Sequence, residues 1–163
     1  MQNPIDSNGE MQSLLETYSK TVLSVAYGYV KNMADAEDIA QDVFISLVES
    51  KVRFNNSEHE KAYIIRTTMN RCKNFLRAAQ IRRVVPLEDN LTTSMPEEQG
   101  ELLSAVLSLP VKYRTVIHLY YYENYSIKEI AEITHKNAAT IGTLLARGRK
   151  LLKEALKGGE SDA

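Results

Sequence analysis

The sequence predicts an all-α fold of two small helical domains, residues 8–85 and 101–158, joined by a flexible linker over 86–100. Three observations predict it. Apolar residues recur at steps of three and four along most of the chain, the period of one helix face. No stretch alternates convincingly with the period of two that marks a half-buried strand. Between the periodic stretches, "PLEDNLTTSMPEEQG" (Pro86 to Gly100) combines two prolines, a glycine, several small polar residues and no cation, which is linker composition.

The elements follow in order. Leu14, Leu15, Tyr18, Val22, Val25 and Tyr29 share a face and predict a first helix over about residues 11–31. "KNMAD" interrupts the pattern, with Asp35 expected to cap a second helix and Asp38 to sit in its positive first turn. Ala36, Ile39, Val43 and Leu47 form the buried stripe of that helix. "KVRFNNS" (Lys51 to Ser57) has turn chemistry and reads as a loop. Ser57 followed by Glu60 is a capping-box pattern that opens a third helix. Its expected apolar seam is Ala62, Ile65, Met69, Cys72, Leu76 and Ala79.

After the linker, a short helix carries Leu102, Leu103, Val106 and Leu107, and Leu109-Pro110 punctuates it. A longer helix is predicted to about Tyr122, and Ser126 with Glu129 forms a second capping-box pattern. "SIKEIAEI", the interruption "THKN" and a longer basic helix then make a helix-turn-helix. Ile130, Ala131, Ile141 and Leu145 fall where its two helices must pack. His135 occupies the turn, and histidine tolerates a left-handed backbone better than most residues.

The chain has 163 residues, 25% charged and 44% hydrophobic, an ordinary soluble composition. A net charge of −1 conceals blocks: −6 over residues 1–50, +7 over 51–85, −5 over 86–107 and +3 over 108–163. Two basic blocks divided by an acidic one point to two surfaces for a polyanion and a connector that avoids it. The single cysteine, Cys72, excludes an internal disulfide and a multi-cysteine zinc site, and fits a reducing cytoplasm. No signal peptide or membrane-length apolar run is expected, hence a cytoplasmic protein without membrane insertion. His59, His118 and His135 have no partners at metal-ligand spacing, so no metal and no cofactor is expected. No nucleophile–base pair or glycine-rich phosphate loop is visible, which argues against an enzyme. Tyr120, Tyr121 and Tyr122 read as mainly structural, and Cys72 as a small buried residue.

Three motifs in order carry a family resemblance: "DAEDIAQDVFISL" (Asp35 to Leu47), "AYIIRTTMNRCKNFLR" (Ala62 to Arg77), and "LPVKYRTVIHLYYYENYSIKEIAEI" with "TIGTLLARGRKLL". Together they resemble a bacterial sigma-70 family factor of the extracytoplasmic-function type, over about residues 11–157. The resemblance implies three surfaces. The first grips core RNA polymerase on its β′ subunit through Asp35, Asp38, Gln41 and Asp42; an acidic, amide-bearing ridge is a poor DNA surface and suits a partner offering arginines.

The second meets the −10 element. Arg66, Asn70, Lys73 and Arg77, at steps of four, three and four, share one face of the third helix, with Tyr63 ahead of them. Phe54 and Asn55 in the preceding loop are the expected stacking and hydrogen-bonding groups for a flipped base. Tyr63 stands where tryptophan is common in the family and Asn74 where aspartate is common, changes that bear on melting efficiency.

The third surface reads the −35 element while docked on the polymerase flap, part of the β subunit. Lys136, Asn137, Thr140 and Thr143 are the expected readers, with Arg147 and Arg149 on phosphates. Family resemblance also implies an anti-sigma partner. The alternative is a stand-alone helix-turn-helix regulator whose N-terminal domain dimerises or senses a signal.

Overall fold

The computed structural model describes residues 4–50, 54, 56–82 and 100–161. Asn55 and residues 86–99 of the expected linker lie outside the described residues, and Gly100 already belongs to a helix. All regular elements among the described residues are helical. The chain divides into two compact units, residues 1–91 and 92–163.

The first unit holds α1 (Pro4–Val30), α2 (Met33–Ser50) and α3 (Ser57–Arg82), with α1 packed on both others. Val22, Ala26, Ala36, Val43, Ile64 and Ile65 are completely or almost completely buried and form its centre. Burial of such side chains is the main favourable term, roughly 1.5–3 kcal/mol for each larger one. Helix α1 ends where Lys31 takes a left-handed backbone with φ 59° and its N–H donates to the Tyr27 carbonyl at 2.9 Å.

Asn32, rather than Asp35, caps α2: its Oδ1 accepts from the Asp35 N–H at 2.9 Å. Asp35 sits inside the first turn instead, its backbone N–H being the donor that the cap satisfies. The same substitution recurs at α3, where Asn56 Oδ1 accepts from the His59 N–H at 2.8 Å, so Asn56 and not Ser57 is the cap. Glu60 is thereby freed from the expected capping box and accepts a 2.8 Å hydrogen bond from the Tyr18 hydroxyl on α1. In both cases asparagine one step or more upstream competes for the same orphan N–H groups, and an Asn cap is at least as good as Ser or Asp.

The α3 core face also differs from the expected seam. Ile64, Ile65, Thr68, Met69 and Cys72 are buried, whereas Ala62, Leu76 and Ala79 are half-buried. Thr68 belongs in the core because its hydroxyl donates to the Ile64 carbonyl at 2.8 Å, removing the cost of burying it.

The second unit contains α4 (Gly100–Ser108), α5 (Val111–Ile117), a π-helical turn (His118–Tyr122), α6 (Ile127–Thr134) and α7 (Ala138–Ser161). Pro110 opens α5, and the buried Arg114 guanidinium donates to the Leu109 carbonyl at 2.7 Å across that break. The long helix expected up to Tyr122 is therefore α-helical only to Ile117 and widens into a π turn afterwards. Helix α7 crosses α5 at Gly148, where an added Cβ would lie 3.2 Å from Ile117 Cγ1.

Candidate nucleic-acid and protein interfaces

The helix-turn-helix is formed by α6 and α7. Ser126 and Glu129 build the expected capping box reciprocally: Glu129 N–H donates to Ser126 Oγ at 3.1 Å and Ser126 N–H to Glu129 Oε1 at 2.8 Å. His135 takes the left-handed conformation, φ 58°, ending α6. Asn137 then caps α7, its Oδ1 accepting from the Thr140 N–H at 2.8 Å. Ile130, Ala131, Ile141 and Leu145 are buried between the helices, as their spacing predicts.

That packing fixes what α7 turns outward. Ala139, Thr140, Thr143, Arg147 and Lys150 are exposed, as are Lys136 and Asn137 ahead of the helix. The Thr143 hydroxyl donates to the Ala139 carbonyl at 3.0 Å. Arg149 is exposed but turned aside: its Nη1 donates to the Tyr121 hydroxyl at 3.1 Å. Of the six expected −35 residues, Asn137, Thr143 and Arg149 thus have side-chain partners within the fold.

Arg149 and Tyr121 belong to the wall of an apolar groove of about 510 Å³, with Leu102, Val106, Tyr122 and Leu156. Leu102 is 50% exposed there, and Tyr121 and Tyr122 are 48% and 46% exposed. The tyrosine run is therefore only partly structural: His118 stacks on Tyr122 at 5.3 Å and Tyr120 meets Tyr121 edge-on at 4.9 Å, while the outer faces of Tyr121 and Tyr122 remain open.

In the first unit, Ala36, Ile39, Val43 and Leu47 bury one side of α2 together with Phe44, leaving Glu37, Asp38, Gln41 and Asp42 exposed. Asp35 is only half-exposed, and burial, then the Asp38 charge, raises its carboxyl above the usual value. Asp38 and Gln41 rim a groove of about 790 Å³ between α1 and α2 whose floor includes Leu15, Leu23, Phe44 and Ile45. Leu15, which the period places on the packing face of α1, is 39% exposed, and Ile45, 42% exposed, was not singled out by sequence; its signal was an isoleucine off the buried stripe of α2.

On α3, Asn70, Lys73 and Arg77 are exposed and Arg66 is half-buried. Arg71 and Asn74 are also exposed on this helix. At its start the Phe54 ring packs on Tyr63 with centroids 5.1 Å apart and planes tilted by 52°, so a residue ahead of the helix and one in it form one aromatic pair. The Tyr18–Glu60 hydrogen bond ties this end of α3 to α1, and burial followed by the neighbouring Glu60 pushes the Tyr18 hydroxyl up to about 12.

Burial pushes the Cys72 thiol up to about 12, which keeps it protonated and unreactive. Among the described residues, no three His, Cys, Asp or Glu side chains are grouped to hold a metal ion, and no helix is long and apolar enough to cross a membrane.

A helix-turn-helix with an outward basic helix, in one chain with a three-helix unit that has one acidic and one basic face, defines a helical DNA-binding transcription protein. Residues 14–82 match Sigma-70 region 2 and residues 99–152 match Sigma-70, region 4. The chain is 33% identical over 133 residues to RNA polymerase sigma factor SigV of Bacillus subtilis, spanning 79% of this chain and 80% of that one. It is 26% identical over 163 residues to the ECF sigma factor SigW of the same species, covering 88% and 87% of the two chains. In fold it resembles the sigma factor RpoE of Bartonella quintana, solved with the anti-sigma factor NepR: TM-score 0.71, 18% identity, 91% of this chain and 97% of that one.

The chain belongs to the sigma-70 family of RNA polymerase sigma factors, in its extracytoplasmic-function division. It is a promoter-directing factor of transcription initiation. The stand-alone regulator is not favoured, because it accounts for the helix-turn-helix and leaves the region 2 match over residues 14–82 without a purpose.

Proposed function

We propose that the faces of the two units divide the work of initiation. The α2 ridge of Asp38, Gln41 and Asp42, with Asp35 at its edge, docks on the β′ subunit of core polymerase. The α3 face of Arg66, Asn70, Lys73 and Arg77 holds the non-template strand of the −10 element, with Phe54, Asn55 and Tyr63 receiving an unstacked base. The outward face of α7, with Lys136 and Asn137 ahead of it, contacts the −35 element, and Arg147 lies on phosphates. The tyrosine-walled groove of the second unit takes the polymerase flap on the β subunit.

The observation that carries this reading is the opposition of charge within one small unit. The exposed side of α2 is acidic and that of α3 basic, and one polyanion cannot be the partner of both. Protein on one side and nucleic acid on the other satisfies both faces. The polymerase supplies the nucleotidyl-transfer chemistry, and this chain catalyses nothing, working in the cytoplasm without cofactor. Solved complexes of related folds, RpoE with NepR and CnrH with the cytosolic domain of CnrY, support an anti-sigma partner here.

The docking face is tested by Asp38→Arg combined with Gln41→Ala. Both side chains are exposed, so the double variant is expected to fold with wild-type helicity and to lose affinity for core polymerase. Wild-type affinity in the folded variant contradicts the assignment.

A further inference from the structure

We infer that Ala139 and Thr143 discriminate promoters by apolar contact with thymine 5-methyl groups, giving the second unit a preference for A·T pairs in the major groove. This rests on the assignment of α7 to the −35 element and concerns how that helix tells one sequence from another. Ile141, Leu145 and Gly148 are buried against the rest of the unit, so the line opposite them faces away from the protein. Ala139, Thr143, Ala146 and Lys150, at steps of four, three and four, occupy that line and are all exposed.

Three of the polar side chains expected at the −35 element are engaged inside the fold. A bidentate contact to adenine needs the oxygen and nitrogen of a carboxamide side by side. The Asn137 oxygen is held by the Thr140 N–H at 2.8 Å, so Asn137 cannot present both without releasing the cap of α7. The Thr143 hydroxyl donates to the Ala139 carbonyl at 3.0 Å, which leaves its γ-methyl as the unengaged end of the side chain. Arg149 is drawn aside by the Tyr121 hydroxyl at 3.1 Å.

What remains in the middle of the outward line is methyl surface, from Ala139, Thr143 and Ala146. Gly142 lies beside it, where an added Cβ would find nothing within 4 Å. Such a short-chained surface lets the helix backbone come close to the base edges. In the major groove the apolar group on offer is the C5-methyl of thymine. The longer Arg147 and Lys150 reach outward to phosphates, which position the helix without reading sequence.

Uracil differs from thymine only by that methyl, which makes the test direct. Holoenzyme assembled from the full chain and core polymerase selects sites from a duplex library randomised upstream of the transcription start. The −35 part of the selected site is then rebuilt with single thymines replaced by uracil. The expected result is a loss of about fourfold in binding for each contacted methyl, the value for one buried apolar carbon. Thr143→Val, which keeps methyl groups, is expected to retain this sensitivity, and Thr143→Ser to lose it at one position while still folding and binding core. Equal affinity for thymine and uracil sites, or undiminished thymine sensitivity at every position with Thr143→Ser, overturns the inference and leaves the family assignment standing. A holoenzyme that selects no −35 motif at all overturns the assignment of α7 on which the inference rests.

Discussion

The Arg149 guanidinium donates to the Tyr121 hydroxyl at 3.1 Å, linking the C-terminal half of α7 to the π turn after α5. Arg147, two residues earlier, is exposed on the outward side of the same helix. Two arginines that look equivalent in sequence therefore belong to different surfaces: one to a groove wall and one to the face proposed for DNA.

Arg147→Ala is expected to weaken binding to promoter variants almost uniformly and to lower the salt slope by about one counterion. Arg149→Ala is expected to move that slope less and to resemble Tyr121→Phe. Salt-dependent fluorescence titration of −35 duplexes with holoenzyme distinguishes them; equal slopes for the two arginine variants would refute the division.

Helix α3 offers a test of the cap. Asn56→Ala is expected to cost about 1 kcal/mol in urea unfolding, the usual value of an N-cap oxygen. Ser57→Ala, at the first helical position, is expected to change stability by less than about 0.5 kcal/mol. A reversed order would restore Ser57 as the cap.

The two glycines of α7 are expected to respond in opposite directions. Gly142→Ala meets no atom within 4 Å and should stabilise the helix by about 0.5–1 kcal/mol. At Gly148 a Cβ would meet Ile117 Cγ1 at 3.2 Å and Tyr113 Cβ at 3.4 Å. There overpacking should outweigh the helix gain, with a net cost of about 1 kcal/mol. Thermal unfolding of both variants checks the sign of each effect.

Asp35 gives a pH signature. Its folded carboxyl is raised above the ordinary value, by burial first and by Asp38 second, so the folded state holds that proton more tightly than the unfolded chain does. The contribution to stability is therefore present at low pH and is lost as pH rises from the unfolded to the folded value. The stability of wild type minus that of Asp35→Asn should fall across this acid window and be flat at neutral pH. A difference that instead grows with pH contradicts the stated environment.

The helical class and the helix-turn-helix were legible because they rest on local signals. The period of three and four, the Ser126–Glu129 box and a left-handed His135 all lie within a few residues of what they determine. The caps of α2 and α3 were misplaced because several adjacent polar residues can satisfy the same N–H groups, and local pattern does not decide among them. The grooves depend on helices distant in sequence, as does the Tyr121–Arg149 pair, and the Phe54–Tyr63 pair joins a residue ahead of α3 to its second turn. A one-dimensional period shows which side of a helix is buried, and not which exposed groups find partners across the fold. For this reason the charges of the candidate faces were readable, while the engagement of Arg149 by Tyr121 was not; the cap made by Asn137 escaped notice as the other asparagine caps did.

Reconstitution with purified core RNA polymerase, followed by sequencing of transcript starts, tests the central claim most directly. The chain is expected to co-purify with core and to confine initiation to promoters sharing −10 and −35 elements. A folded chain that neither binds core nor changes where transcription starts would contradict it.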